Sequence, residues 1–338
     1  NPIFFRYALE ARNYTMFAFA AAGSVYYLTS LTQKFSRRNA ILFVIFSALG
    51  IYTHYYMFFT VASAGLYILL FERKILIKII GLYLAIGVLY LPWIPFLVKQ
   101  VLSATGSYWI GGINNRTHFE AVLRIWGGEE QNVFRPLLFW LTAGGLTLGL
   151  CQILREKLSN KAFILIWFWA IVPFVLATLP GLKIGDFKLP LRPFFFWRYL
   201  IPAAVPFSIL IVYGSQSLPK VFSKTMLALI IILSVSVDFL MFSKNPATFR
   251  QVFAEEIVPK IKPNDKIVTV LPSFAEVLYY RNRFDLSNEL IVLPEGLIQS
   301  SGKSLLDSYA ANGTVKITDA PEGRYFELKP GPSVQRME

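Results

Sequence analysis

Cysteine, histidine and acidic side chains are all scarce here: one Cys, two His and 20 Asp plus Glu in 338 residues. A single cysteine, Cys151, excludes an internal disulfide framework, and its position inside an apolar run reads as a buried thiol. His54 and His118 are too few and too far apart for a metal-spaced Cys/His set, and no Gly-rich phosphate loop is present in the C-terminal region. Charged residues make up 16% of the chain, against about 25% in a soluble domain. That shortage excludes a disordered chain and an ordinary cytosolic protein.

Apolar and aromatic residues fill the space instead: 55% of positions are hydrophobic, with 30 Phe, 17 Tyr and 7 Trp, and the mean hydropathy is +0.51. Crossing a bilayer core of about 30 Å takes roughly 20 apolar residues in a helix. Runs of that kind lie near 15–33, 40–53, 56–71, 78–97, 134–153, 162–180, 199–214 and 225–243. The predicted fold class is thus an α-helical polytopic membrane protein with about eight transmembrane helices over residues 1–245. The chain opens on Asn1 near an apolar run, with no initiator Met and no signal-peptide pattern, so an upstream segment is expected.

Net charge divides the chain in two. Residues 1–245 carry 22 basic and 8 acidic side chains, whereas residues 246–338 carry 11 and 12. A pI near 9.7 would suit nucleic acid, but basic residues placed between apolar spans are the mark of membrane topology. Residues 40–71 can be one tilted helix or two short ones. With two, the short loops at 34–39, 72–77, 154–161 and 215–224 fall on one side with their rim and hold 11 basic residues, among them Arg37, Arg73, Lys161 and Lys220, against Glu72 and Glu156. The positive-inside rule therefore favours two spans and assigns those loops to the cytoplasmic side. Nucleic acid is excluded as a partner, and the lipid bilayer is implied as one.

Everything chemically varied is then expected on the opposite, extracytoplasmic side. Glu10, Glu120, Glu129, Glu130 and Asp186 fall there, Asp238 sits near that end of its span, and His54 and His118 fall there too. Residues 246–338 read as a small soluble α/β domain on the same side, with helical patterns over 247–260 and 273–280 and strand patterns over 266–271, 290–293, 315–318 and 324–328. A structural cap is its plainest role.

Three clusters merit a chemical reading. In Tyr7-Ala-Leu-Glu10-Ala-Arg12-Asn-Tyr14, helical spacing puts Arg6, Glu10 and Tyr14 on one face; Glu10 is either a general base beside apolar surface or half of an interfacial salt bridge. Thr53-His54-Tyr55-Tyr56 interrupts apolar sequence at a span junction, where His54 either contacts phosphate or metal or belongs to an interfacial aromatic belt. Arg198, in Phe194-Phe-Phe-Trp-Arg198-Tyr199-Leu-Ile-Pro202, can hold a lipid phosphate in its planar fork, and its aromatic neighbours either flank a lipid chain or form the belt. Between residues 98 and 133, Thr117–Trp126 predicts a short amphipathic helix on the membrane, with His118, Glu120, Glu129 and Glu130 assisting a site or simply solvated. Asp238 reads as hydrogen-bonded to a neighbouring helix. The sequons at Asn13, Asn115 and Asn312 are patterns common by chance.

Taken in order, Tyr7-x-x-Glu10-Ala11-Arg12-x-Tyr14, Tyr52-Thr53-His54-Tyr55 and Arg198-Tyr199-Leu200-Ile201-Pro202 with Pro206 resemble the glycosyltransferase family 39 type of polytopic enzyme. These are relatives of dolichyl-phosphate-mannose-dependent protein O-mannosyltransferases and of lipid A aminoarabinose transferase, with the C-type glycosyltransferase fold. The resemblance covers residues 1–245. It implies inverting transfer of a sugar from a polyprenyl-phosphate donor to a hydroxyl of a glycan, lipid or protein acceptor on the periplasmic, extracellular or lumenal face. Glu10 is similar to the second of the family's two acids and is the catalytic candidate; the first would lie upstream. Arg12, His54 and Arg198 are then expected to stabilise the departing phosphate, with Tyr14, Tyr55 and Tyr199 also lining the substrate site. Divalent-metal dependence varies among such enzymes, and the residues here assign no cofactor. A polytopic transporter or lipid flippase is the alternative; it would show matching Gly/Pro-broken spans in two halves, which the sequence lacks.

Overall fold

The computed structural model describes residues 2–8, 12–103, 115–128, 131–156, 158–179, 183–184, 187–188, 195–243, 248–294, 303–331 and 333–337. They form two compact units: Asn1–Ile94 with Ile110–Ser243, and Pro95–Trp109 with Lys244–Glu338. The first unit is helical. A short α1 (Pro2–Ala8) precedes α2 (Tyr14–Gln33), α3 (Arg37–Thr53), α4 (Met57–Phe71), α5 (Leu76–Tyr90) and a 3-10 turn, Leu91–Trp93; α6 (Ile94–Ser103) belongs from Pro95 onward to the second unit. After α7 (Asn115–Gly127) come α8 (Arg135–Arg155), α9 (Lys161–Thr178), a small hairpin of β1 (Lys183–Ile184) and β2 (Phe187–Lys188), a 3-10 segment at Trp197–Ala203, α10 (Ala204–Ser215) and α11 (Lys220–Ser243).

Each of the eight apolar runs forms helix. Among the described residues, five helical stretches are long and apolar enough to cross a membrane: Arg73–Leu102, Arg135–Arg155, Lys161–Thr178, Trp197–Ser215 and Lys220–Met241. α3 and α4 are shorter, at 17 and 15 residues, and α2 is diluted by Thr, Ser, Tyr and Gln. The 40–71 stretch is two helices, because the backbone turns extended at His54 (φ −156°) and restarts at Met57, whose amide donates to the His54 carbonyl.

Small and hydroxyl-bearing residues let these helices approach, as is usual where lipid removes the hydrophobic drive between helices. Ser24 and Ser47 share a buried 2.8 Å hydrogen bond between α2 and α3. α8 and α10 meet at Gly145, Gly149 and Gly214, where a Cβ on Gly214 would overlap the Gly145 carbonyl oxygen and the Gly149 amide nitrogen. Cys151 corrects the expectation of a buried thiol: it is exposed. The buried stripe of α8 runs through Leu138, Thr142, Gly145, Leu146, Gly149 and Ile153, and at 100° per residue Cys151 falls about 200° round from Gly149. An apolar run marks depth in a membrane and says little about which face is packed.

The C-terminal residues build a five-stranded sheet in the order β5-β4-β3-β6-β7 from β3 (Lys266–Thr269), β4 (Leu290–Val292), β5 (Val315–Ile317), β6 (Tyr325–Lys329) and β7 (Ser333–Met337), all parallel except β7. α12 (Phe249–Gln251), started by a Thr248–Gln251 capping box, runs into a π-helical turn at Val252–Ile257; α13 (Leu271–Arg283) follows β3 and α14 (Lys303–Ala311) follows β4. Alternation of side chains along the strands sends Ile267, Leu290 and Phe326 to a core shared with Phe253 and Phe274, and Val268 and Ile291 to a second cluster. The β-rich run predicted over 266–271 stops at Thr269, since Leu271-Pro272 opens α13. α14 and the polar edge strand β7 carried too little apolar pattern to be predicted.

Candidate functional site

Three turns of backbone bring the predicted site together within the helical unit. Tyr14 opens α2 and is 4% exposed, its ring 4.8 Å from that of Tyr7. The preceding Asn13 donates its side-chain amide to the Thr53 carbonyl and so pins the start of α2 to the end of α3. His54 terminates α3, and its imidazole stacks on Phe17 at 4.8 Å and 10°. Tyr199, in the 3-10 segment before α10, completes the cluster at 4.8 Å from His54, 5.1 Å from Tyr56 and 6.5 Å from Tyr14. Residues far apart in sequence thus share one wall.

The wall borders an open cavity of about 380 Å³. Tyr55 stands at it, exposed, accepting a 3.2 Å hydrogen bond from Trp93 Nε1. Tyr52 donates to the Leu89 carbonyl at 2.7 Å and packs edge-on against Trp93 at 5.8 Å. Asn13, Tyr52 and Trp93 were not among the predicted site residues. Tyr52 lay inside a quoted motif, but Trp93 had only its place at the end of an apolar run, where aromatic residues are common.

His54 is neutral near pH 7. Its Nδ1 accepts the Tyr56 amide at 3.2 Å, which leaves the proton of the neutral ring on Nε2. Burial lowers its pKa from 6.5 to about 4, since a charged imidazole there would lose its hydration. His54 therefore does not supply the positive charge expected of it toward a phosphate, and two of the three cationic candidates remain.

Those two are arginines. Arg12 is exposed, and with Arg198 it lies close enough for its charge to act on Tyr199. The Arg198 guanidinium sits 4.6 Å from the Phe196 ring centroid and 5.5 Å from that of Trp197, and its buried Nε has no hydrogen-bond partner among the described residues. Trp197 also carries Arg124 of α7 at 5.1 Å. Glu120 pairs with Arg124 at 3.5 Å and with the buried Arg135 at 3.7 Å. Glu120 thus lies between two guanidiniums, and neither Arg124 nor Arg135 was singled out from sequence.

The remaining candidates divide. Glu10, Glu129, Glu130 and Asp186 lie outside the described residues. His118 is on α7 as the amphipathic pattern predicted, 3.0 Å from Thr178 Oγ1 and 4.7 Å from the Phe195 ring. Of the Asp238 carboxylate, expected to bond a neighbouring helix, Oδ1 is buried without a hydrogen-bond partner among the described residues. No group of three or more His, Cys, Asp or Glu that could hold a metal occurs among the described residues. Comparison with protein-family models, with curated proteins and with solved structures finds no match.

Proposed function

We propose that this chain is the core of an integral-membrane glycosyltransferase of eight membrane-spanning helices, α2 to α5 and α8 to α11, with its site and its C-terminal domain on the extracytoplasmic face of the plasma membrane. It moves a sugar from a polyprenyl phosphate to an acceptor hydroxyl, with inversion at the anomeric carbon. One observation carries the reading: the three short motifs that resemble the family, at Tyr14, His54 and Tyr199, converge on one cavity although 40 and 145 residues separate them. Chance resemblance of scattered short motifs would not be expected to converge.

The division of labour follows from the chemistry. An acceptor hydroxyl attacks the anomeric carbon and gives up its proton, a task for Glu10. The departing lipid phosphate gains charge, and Arg198, with an unmet donor in an aromatic frame, is suited to receive it. Glu10→Gln in the full-length protein, assayed with polyprenyl-phosphate sugar, is expected to cut turnover by about 10²- to 10⁴-fold, and Arg198→Ala to raise the donor KM. Unchanged turnover in Glu10→Gln removes it from the mechanism, and an unaltered KM removes the phosphate role of Arg198.

A further inference from the structure

We propose that the basic residues of the α2–α3 and α4–α5 turns form a headgroup site for an anionic phospholipid, with Phe35 and Lys78 joining the two turns. This rests on the reading of the helical unit as membrane-embedded and is independent of the sugar chemistry.

Of the 11 basic residues in the loops assigned to the cytoplasmic side and at their rim, six belong to these two turns: Lys34, Arg37, Arg38, Arg73, Lys74 and Lys78. All six are exposed. The Lys78 ammonium sits 4.8 Å from the Phe35 ring centroid, which holds the first turn of α5 against the α2–α3 turn. The two acids in these loops are engaged elsewhere, Glu72 with Lys161 of α9 at 2.8 Å and Glu156 with the Gln152 amide at 3.4 Å. Every residue of both turns is described, and none of the six cations meets a carboxylate among the described residues.

Orientation alone does not call for this placement, since the positive-inside rule asks only that basic residues lie on one side. Two of the six serve their own helices: Lys34 caps α2, and Arg73 donates through Nε to the Leu69 carbonyl near the end of α4 at 2.9 Å. The others do not. Arg37, Arg38 and Lys78 lie in the first turns of α3 and α5, where the helix dipole disfavours positive charge and where neither helix has an acid. Lys74 and Lys78 are four apart in one helical stretch, a spacing at which like charges repel. An anion bound at the patch relieves both costs. Beneath the cations the two helices continue as outward apolar stripes, Ile41 and Ile45 after Arg37 and Ile77, Ile80 and Leu84 after Arg73, all between 48% and 85% exposed. A phosphodiester with hydrocarbon chains meets both the cations and the stripes, whereas free phosphate meets the cations alone.

The test uses the full chain in a nonionic detergent, with bound lipid counted by native mass spectrometry. Dioleoyl phosphatidylglycerol and dioleoyl phosphatidylcholine share their chains, so comparing them isolates headgroup charge. Phosphatidylglycerol is expected to bind about tenfold or more tightly, and millimolar inorganic phosphate is expected not to displace it. Arg37→Gln, Lys74→Gln and Lys78→Gln combined should weaken phosphatidylglycerol by about tenfold or more and leave phosphatidylcholine unchanged. Arg155→Gln, Lys220→Gln and Lys224→Gln combined remove the same charge from the other loops of that side and should change phosphatidylglycerol by less than about twofold. Should the first triple variant not fold, Phe35→Leu, which removes the ring beneath Lys78, is expected to weaken phosphatidylglycerol by a few-fold. Equal affinity for the two lipids, or affinity untouched by the site variant that folds, would overturn the proposal. Equal losses in the two triple variants would overturn it too, by reducing the patch to diffuse attraction. Displacement by inorganic phosphate would replace the lipid with a simple anion. A chain recovered monodisperse without detergent would remove the membrane reading itself, and the site with it.

Discussion

The helical stretch Trp197–Ser215 is 67% buried inside the protein, whereas the next one, Lys220–Met241, is 11% buried although it is the more apolar of the two. In water the order would be reversed, because the apolar helix would be driven inward. In a bilayer, lipid tails are as apolar as leucine and the hydrophobic effect no longer sorts helices. What brings Trp197–Ser215 inside is shape and polarity: Gly214 against Gly145 and Gly149, and the side chains of Arg198 and Tyr199 at its start. α11 offers a large outward apolar surface, with Ile231, Ile232, Val235 and Phe239 exposed.

Gly214→Val should test the contrast most severely. Its side chain would meet backbone atoms of α8, which cannot turn aside as a flexible side chain can. A loss of more than about 3 kcal/mol is expected, seen as failure to recover a folded, monodisperse protein in detergent. A folded Gly214→Val protein with unaltered thermal stability would show that the α8–α10 contact does not hold the helices together.

A matched pair sharpens the same point at smaller cost. Leu210 on α10 is fully buried and Ile232 on α11 is 59% exposed. Leu210→Ala should destabilise by about 2 kcal/mol, the low end for core truncations, because in a membrane the lost packing counts and the transfer from water does not. Ile232→Ala should change thermal stability in detergent by less than about 0.5 kcal/mol. Equal losses would mean that α11 is packed against protein and that its exposed face is not a lipid face.

The comparison also explains what the sequence made legible. Helix positions were readable, since a run of apolar residues is required whichever way such a helix faces. Facing was not, and Cys151 shows it: nearly every position of α8 is apolar or small, so no stripe marks the packed side. The candidate site was legible only where short motifs carried it, at Tyr14, His54, Tyr55, Arg198 and Tyr199. Trp93 stayed hidden because an aromatic residue near the end of an apolar run looks the same whether it anchors a helix at the interface or lines a cavity, and Arg124 because a basic residue on an amphipathic helix reads as part of its solvated face. In the C-terminal unit the inner strands β3 and β4 were clear from their buried branched residues, while β7, Ser-Val-Gln-Arg-Met, is an edge strand with most of its residues exposed.

A smaller loss than that of Leu210→Ala is expected at the start of Trp197–Ser215, where burial extends to a titratable group. Tyr199 covers His54, whose folded pKa is about 4 against 6.5 for an exposed imidazole. Above pH 6.5 the ring is neutral in folded and unfolded chains alike, and its full contribution to stability is present. As pH falls from 6.5 toward 4 the unfolded chain takes up a proton that the folded one refuses, so stability is lost; below 4 both are protonated and the loss levels off. Partial exposure of His54 reduces the effect, and about 1 kcal/mol should disappear between pH 7.5 and pH 5.5. His54→Gln removes the titration, so the difference between the thermal stabilities of the two proteins should narrow by that amount over this interval. A difference that stays constant with pH would mean that the imidazole is hydrated in both states, and that the protein interior packed around Trp197–Ser215 stops short of the turn between α3 and α4.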